Sequence, residues 1–87
     1  MTRLNTSFPP DPDNQNEDRS KWAQAAIQTF VDITGLDTEA DGFDTTLSDL
    51  LADIAHFCDR NDLSFHDLLD RAQRHYQAET DGKGPQL

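Results

Sequence analysis

The chain reads as a small all-α protein, a three-helix domain in which the first helix packs on an antiparallel hairpin made by the second and third. Three observations carry this reading. Apolar residues recur at spacings of three and four through three segments, capping residues and short turns separate those segments, and the period-two alternation of a strand is found nowhere. Residues 17–79 form the domain, between a flexible arm over 1–16 and a flexible tail over 80–87. The arm, MTRLNTSFPPDPDNQNED at its widest, is dominated by Pro, Asn and Asp. It carries too little apolar surface to offset the entropy of ordering it.

The first helix is expected from about Glu17 to Thr34. Trp22, Ala26, Phe30 and Ile33 recur on one face, flanked by Ala23, Ile27 and Val31. Asn16 or Asp18 can cap its start, where early acids also suit the positive end of the helix dipole. Gly35 supplies the left-handed residue that ends it, with Leu36 able to fold back on Val31. The second helix opens on TLSD, with Thr46 as cap and Asp49 completing a capping box. Leu47, Leu50, Leu51, Ile54, Phe57 and Cys58 form its apolar stripe, opposite Asp49, Asp53, His56 and Arg60. The third helix follows the short turn NDLS. There Ser64 and Asp67 make a second box, and Phe65, Leu68, Leu69, Ala72 and Tyr76 line the buried side. So short a connection makes a helical hairpin. Asp67–Arg71, Asp70–Arg74 and His75–Glu79 are spaced for ion pairs along the third helix.

About sixty residues is a marginal size for an independent core, so a second copy or a constant partner is expected to help hold the fold. The lone Cys58 lies within an apolar pattern and reads as a buried, inert thiol. It fits a cytoplasmic protein, as does the absence of an apolar leader at the start.

Charge is the dominant property. Seventeen acids face seven bases, a formal net charge of −10, and from Asp32 to Asp70 the only base is Arg60. Such a field disfavours nucleic acid and anionic membranes as ligands and attracts basic protein surfaces. Fourteen of the acids are Asp rather than the better helix former Glu. Capping accounts for some of them; a surface function or a saline habitat would account for the rest.

The segment GLDTEADGFDTT resembles a calcium loop between two helices. Counted from Asp37, Glu39, Asp41 and Gly42 fall where an EF-hand asks for two oxygen ligands and a glycine. The twelfth position, which needs a bidentate Glu, is Ser48, and the eighth is the polar Asp44. A solvated acidic loop is the simpler expectation, with a single EF-hand-like module as an alternative. Asp49, Asp53 and His56 share a helical face and offer metal-ligand types, but without the compact spacing of known zinc motifs. No nucleophile motif or phosphate loop is found, and no catalytic residue, resident metal or cofactor is expected.

The segment TLSDLLADIAHFCDRNDLSFHDLLDRA is similar to the C-terminal half of the MazG-type all-α nucleotide pyrophosphohydrolases. In that family an E-x-x-D motif opens a helix that leads into a comparable turn. Asp49 matches the motif's Asp, Thr46 stands in place of its Glu, and the upstream E-E-x-x-E motif has no counterpart here. The resemblance implies a degenerate magnesium-dependent hydrolase as the alternative function. In size, charge and helix content the chain also looks like small acidic phage and plasmid proteins that inhibit defence enzymes by imitating DNA. The leading expectation is therefore a non-catalytic protein that binds a basic surface, such as that of a nucleic-acid enzyme. Asp37, Glu39, Asp41, Asp44, Asp49, Asp53 and Asp59 are its candidate contact face.

Overall fold

The computed structural model describes residues 8–81, and every regular element among them is helical. The expected arm and tail lie outside the described residues at positions 1–7 and 82–87. Three long helices, α1 (Asn16–Thr34), α3 (Phe43–Arg60) and α4 (Phe65–Glu79), are joined by short segments, and one of these contains the single-turn α2 (Thr38–Asp41).

Each long helix begins and ends for a local reason. Ahead of α1, the Asp11 carboxylate accepts from the amides of Gln15 and Asn16 at 3.2 and 3.3 Å. A residue several places upstream therefore satisfies the first orphan donors, and Gln15 at the cap makes no side-chain bond of its own. Gly35 ends α1 in the left-handed region at φ 73°, and its amide donates to the Val31 carbonyl at 2.8 Å, as the sequence predicts. At the end of α3 the Leu63 amide reaches back to the Cys58 carbonyl at 3.0 Å, across Asp62 at φ 60°. This is the six-to-one bond of a Schellman stop, made with Asp where Gly is usual. Ser64 then caps α4, its Oγ accepting from the Asp67 amide at 3.2 Å.

The start of α3 differs from the capping-box expectation. The helix begins at Phe43, one turn earlier, and Gly42 precedes it at φ 87°, ψ 152°. That backbone conformation is nearly exclusive to glycine, and it lets the chain pass from α2 straight into α3. Thr46 is consequently inside the helix, where its hydroxyl donates to the Gly42 carbonyl at 3.2 Å.

The way the long helices meet sets the shape. In an up-down-up bundle the start of the first helix and the end of the third lie at opposite poles. Here they touch: Asn16 Nδ2 donates to the Glu79 carbonyl at 2.8 Å, and Arg19 Nε lies 3.5 Å from Glu79 Oε2. At 1.5 Å per residue the helices are about 28, 27 and 22 Å long. Three such rods joined end to end at every junction form the edges of an open triangle. The hairpin of α3 and α4 opens into a wedge, and α1 closes the third side instead of lying across both. The chain is accordingly a plate, 38 × 37 × 16 Å along its principal axes. Its radius of gyration is 15.5 Å, against about 12 Å for a compact domain of this length.

An open triangle buries little. Among the described residues only Thr46 and Cys58 are buried, at 0 and 1% exposure. Cys58 is thus the interior thiol its pattern suggests. The expected core is mostly at the surface: Trp22 is 63% exposed, Phe57 60% and Tyr76 55%, with Leu47, Leu51, Ile54 and Leu69 also open to solvent. Side chains on the neighbouring arc of α1, Ile27, Phe30 and Val31, are half-buried.

The i, i+4 pairs foreseen on α4 do not close. The ion pairs among the described residues are Arg19–Asp13 at 2.7 Å, Arg19–Glu79 and the exposed Lys21–Glu17. Glu79 turns to Arg19 of α1 and away from His75. No helix among the described residues is long and apolar enough to cross a membrane.

Candidate functional site

The seven candidate acids separate into two groups. Asp37 and Asp44 serve the backbone. Asp37 caps α2, its Oδ1 accepting from the amides of Glu39 and Ala40 at 3.0 and 3.2 Å. Asp44 Oδ1 accepts from the Thr45 amide at 2.9 Å and overhangs Gly42 so closely that a Cβ there would lie 2.8 Å away. These two carboxylates stabilise the turn between α1 and α3.

Glu39, Asp41, Asp49, Asp53 and Asp59 form the second group. All five are exposed, and none has a hydrogen-bond or ion-pair partner in its side chain among the described residues. Asp49 and Asp53 stand one turn apart, about 6 Å along α3, and both are open to solvent. Asp59 lies about 15 Å from Asp49 along the axis and roughly 80° around it, so it belongs to a flank of the same helix. Glu39 and Asp41 sit on α2, at the corner where α3 begins.

The calcium-loop pattern does not persist as a loop. Thr38–Asp41 is helical, which occupies the second to fifth positions of the motif, and the Asp37 carboxylate faces amide donors. Among the described residues, no three His, Cys, Asp or Glu side chains come together as a metal-binding group. This covers Asp49, Asp53 and His56, and also His66 and Asp70 on α4. Thr46, at the place of the MazG-type Glu, is buried inside α3, whereas Asp49 points to solvent.

The corner joining α1 to α4 was not foreseen from the sequence. Arg19 donates to both Asp13 oxygens, at 2.9 and 2.7 Å, and also reaches Asn16 and Glu79. The Arg19 hydrogen bond holds the Asp13 carboxyl below the usual aspartate range, and the same bond raises the arginine. The density of Asx residues just ahead of the first apolar period is the one signal that could have pointed there. Two shallow grooves accompany these features. One, beside this corner, includes Phe8, Pro9 and Tyr76, and the other runs along Ala23, Ile27 and Val31 of α1 towards Phe43.

Compared with known families, characterised proteins and solved structures, the chain shows no significant match in any of the three.

Proposed function

We propose that this chain is a small acidic, non-catalytic interaction protein of the cytoplasm that binds a basic surface on a partner protein. The observation that carries the reading is the set of five exposed carboxylates on α2 and α3 with no counter-charge among the described residues. Arg60, the one base of that region, is turned to the backbone of its own helix, with Nη1 3.4 Å from the His56 carbonyl. Unneutralised carboxylates on a rigid helix complement fixed guanidinium and ammonium groups. Their field reaches about 8 Å at physiological ionic strength, so it guides the encounter as well as the contact.

Short Asp side chains hold this charge close to the helix surface. That suits occupation of a cleft built for phosphates, and it favours a nucleic-acid-handling enzyme as the partner, inhibited by imitation of DNA.

The test is capture by the immobilised full chain at low salt, followed by elution along a salt gradient and challenge with duplex DNA. A nucleic-acid enzyme that elutes with salt and is displaced by DNA is the expected result. Replacing Asp49 and Asp53 together by Asn should weaken that complex several-fold while leaving the helical circular dichroism unchanged. Binding indifferent to salt, or to this double substitution, would remove the basis of the proposal.

A further inference from the structure

At two of its corners the triangle is joined through the chain itself, by α2 in one case and by a short turn in the other. The third corner is different. There two polar contacts join α1 to α4 among the described residues, Asn16 Nδ2 to the Glu79 carbonyl and Arg19 Nε to the Glu79 carboxylate. The apolar side chains beside them, Phe8 and Tyr76, are 68 and 55% exposed, so little hydrophobic burial holds this corner shut.

The charges of the corner balance on one residue. Asp11, Asp13, Glu17 and Asp18 stand in the lead-in and first turn of α1, and Glu79 ends α4. Lys21 is drawn to Glu17, so Arg19 is the one cation among the described residues that spans the two helices. Asp13 and Asn16 engage its terminal nitrogens and leave Nε for Glu79. The last turn of α4 has no base of its own. Its carbonyls, the negative end of the helix dipole, therefore take both a donor and a cation from α1. Without Arg19, acids on the two sides would face one another across the gap.

We propose that this corner is an ionic latch: Arg19 closed on Glu79 holds the triangle shut, and its release by salt lets α1 swing away from α4 about Gly35 while all three long helices persist. The pivot suits this motion. Gly35 is left-handed at φ 73°, a Cβ there would meet nothing within 4 Å, and Leu36 and Asp37 after it belong to no helix. A swing of ~30° about that end carries the start of a helix about 28 Å long through about 15 Å. The contact to be released is a weak one, because the side chains of Arg19 and Glu79 are 28 and 32% exposed and salt screens a pair so open to water.

The test is NMR on the full chain through a sodium chloride titration at neutral pH, with two readouts. One is the set of nuclear Overhauser contacts between the Asn16 side-chain amide and the end of α4; the other is hydrogen exchange of the last-turn amides of α4. Between low and molar salt the contacts should vanish and last-turn exchange should quicken at least tenfold, while exchange in the middle of α3 and the helical circular dichroism stay as they were. Arg19→Gln should show the open pattern already at low salt, and Asp13→Asn should lower the salt concentration at which the corner opens. Contacts that survive molar salt in the natural chain, or that survive in Arg19→Gln, overturn the proposal. So does loss of helical circular dichroism together with the contacts, in the natural chain or in Arg19→Gln, because the corner would then be part of the fold and not a latch. Neither readout involves the carboxylates of α2 and α3, so the partner-binding reading is judged separately.

Discussion

Single residues fix the turns of this protein, and Gly42 is the most exacting of them. Its φ of 87° with ψ 152° lies where only glycine rests without strain, and the Asp44 carboxylate occupies the space a methyl group would need. Gly42→Ala should destabilise the fold by about 1–3 kcal/mol, measured by urea unfolding. An unchanged midpoint would mean that the α2–α3 passage is not built this way in solution. Gly35 is less demanding: it too is left-handed, but a Cβ there meets nothing within 4 Å. The same scale separates the candidate acids. Seven Asp and Glu residues look equivalent as letters, yet Asp37 and Asp44 are engaged with amides, and only the coordinates distinguish them from the five that face water.

Elements were legible in the sequence to the extent that their signals were local. The Gly35 stop of α1 and the Ser64 cap of α4 rest on residues within one turn of the boundary they set, and both were foreseen. Ser64→Ala should accordingly cost about 1 kcal/mol, with fraying confined to the first turn of α4 in amide exchange. Uniform loss of protection along the whole helix would instead show that α4 depends on its neighbours for every turn.

The beginning of α3 lies one turn ahead of the capping box that Thr46 and Asp49 spell in the sequence. The competing signal, a glycine able to admit an earlier start, depends on a backbone angle that composition does not specify. The short α2 was hidden for a related reason. Its cap, Asp37, was one acid among several in a stretch that matched an ion-binding pattern at four positions.

For the whole molecule, the all-α class and the three long helices followed from periodicity, whereas the open triangle did not. Periodicity says which residues share a face, but not what lies opposite that face. The third corner joins Asn16 to Glu79, 63 residues apart in sequence, and no local pattern announces it. That corner also carries a pH dependence of its own. Because the folded state depresses the Asp13 carboxyl, its link to Arg19 stabilises the corner at neutral pH, above the ordinary aspartate range. The contribution is lost as pH falls through the lower, folded-state value. An NMR titration following the amides of Gln15 and Arg19 should therefore show a transition displaced to the acid side of a free aspartate. A transition at the ordinary position would mean that Asp13 and Arg19 are apart in solution.

One consequence of the arrangement concerns Cys58. It is the lone thiol of the chain, it sits in almost the only water-free spot among the described residues, and its own carbonyl receives the amides of Asn61 and Leu63 that close the α3–α4 turn. A thiol-reactive dye can reach so enclosed a sulfur only when the structure around it opens, locally or throughout the chain. The pace of labelling thus becomes a clock for that opening, supplied by the natural sequence without any engineered probe.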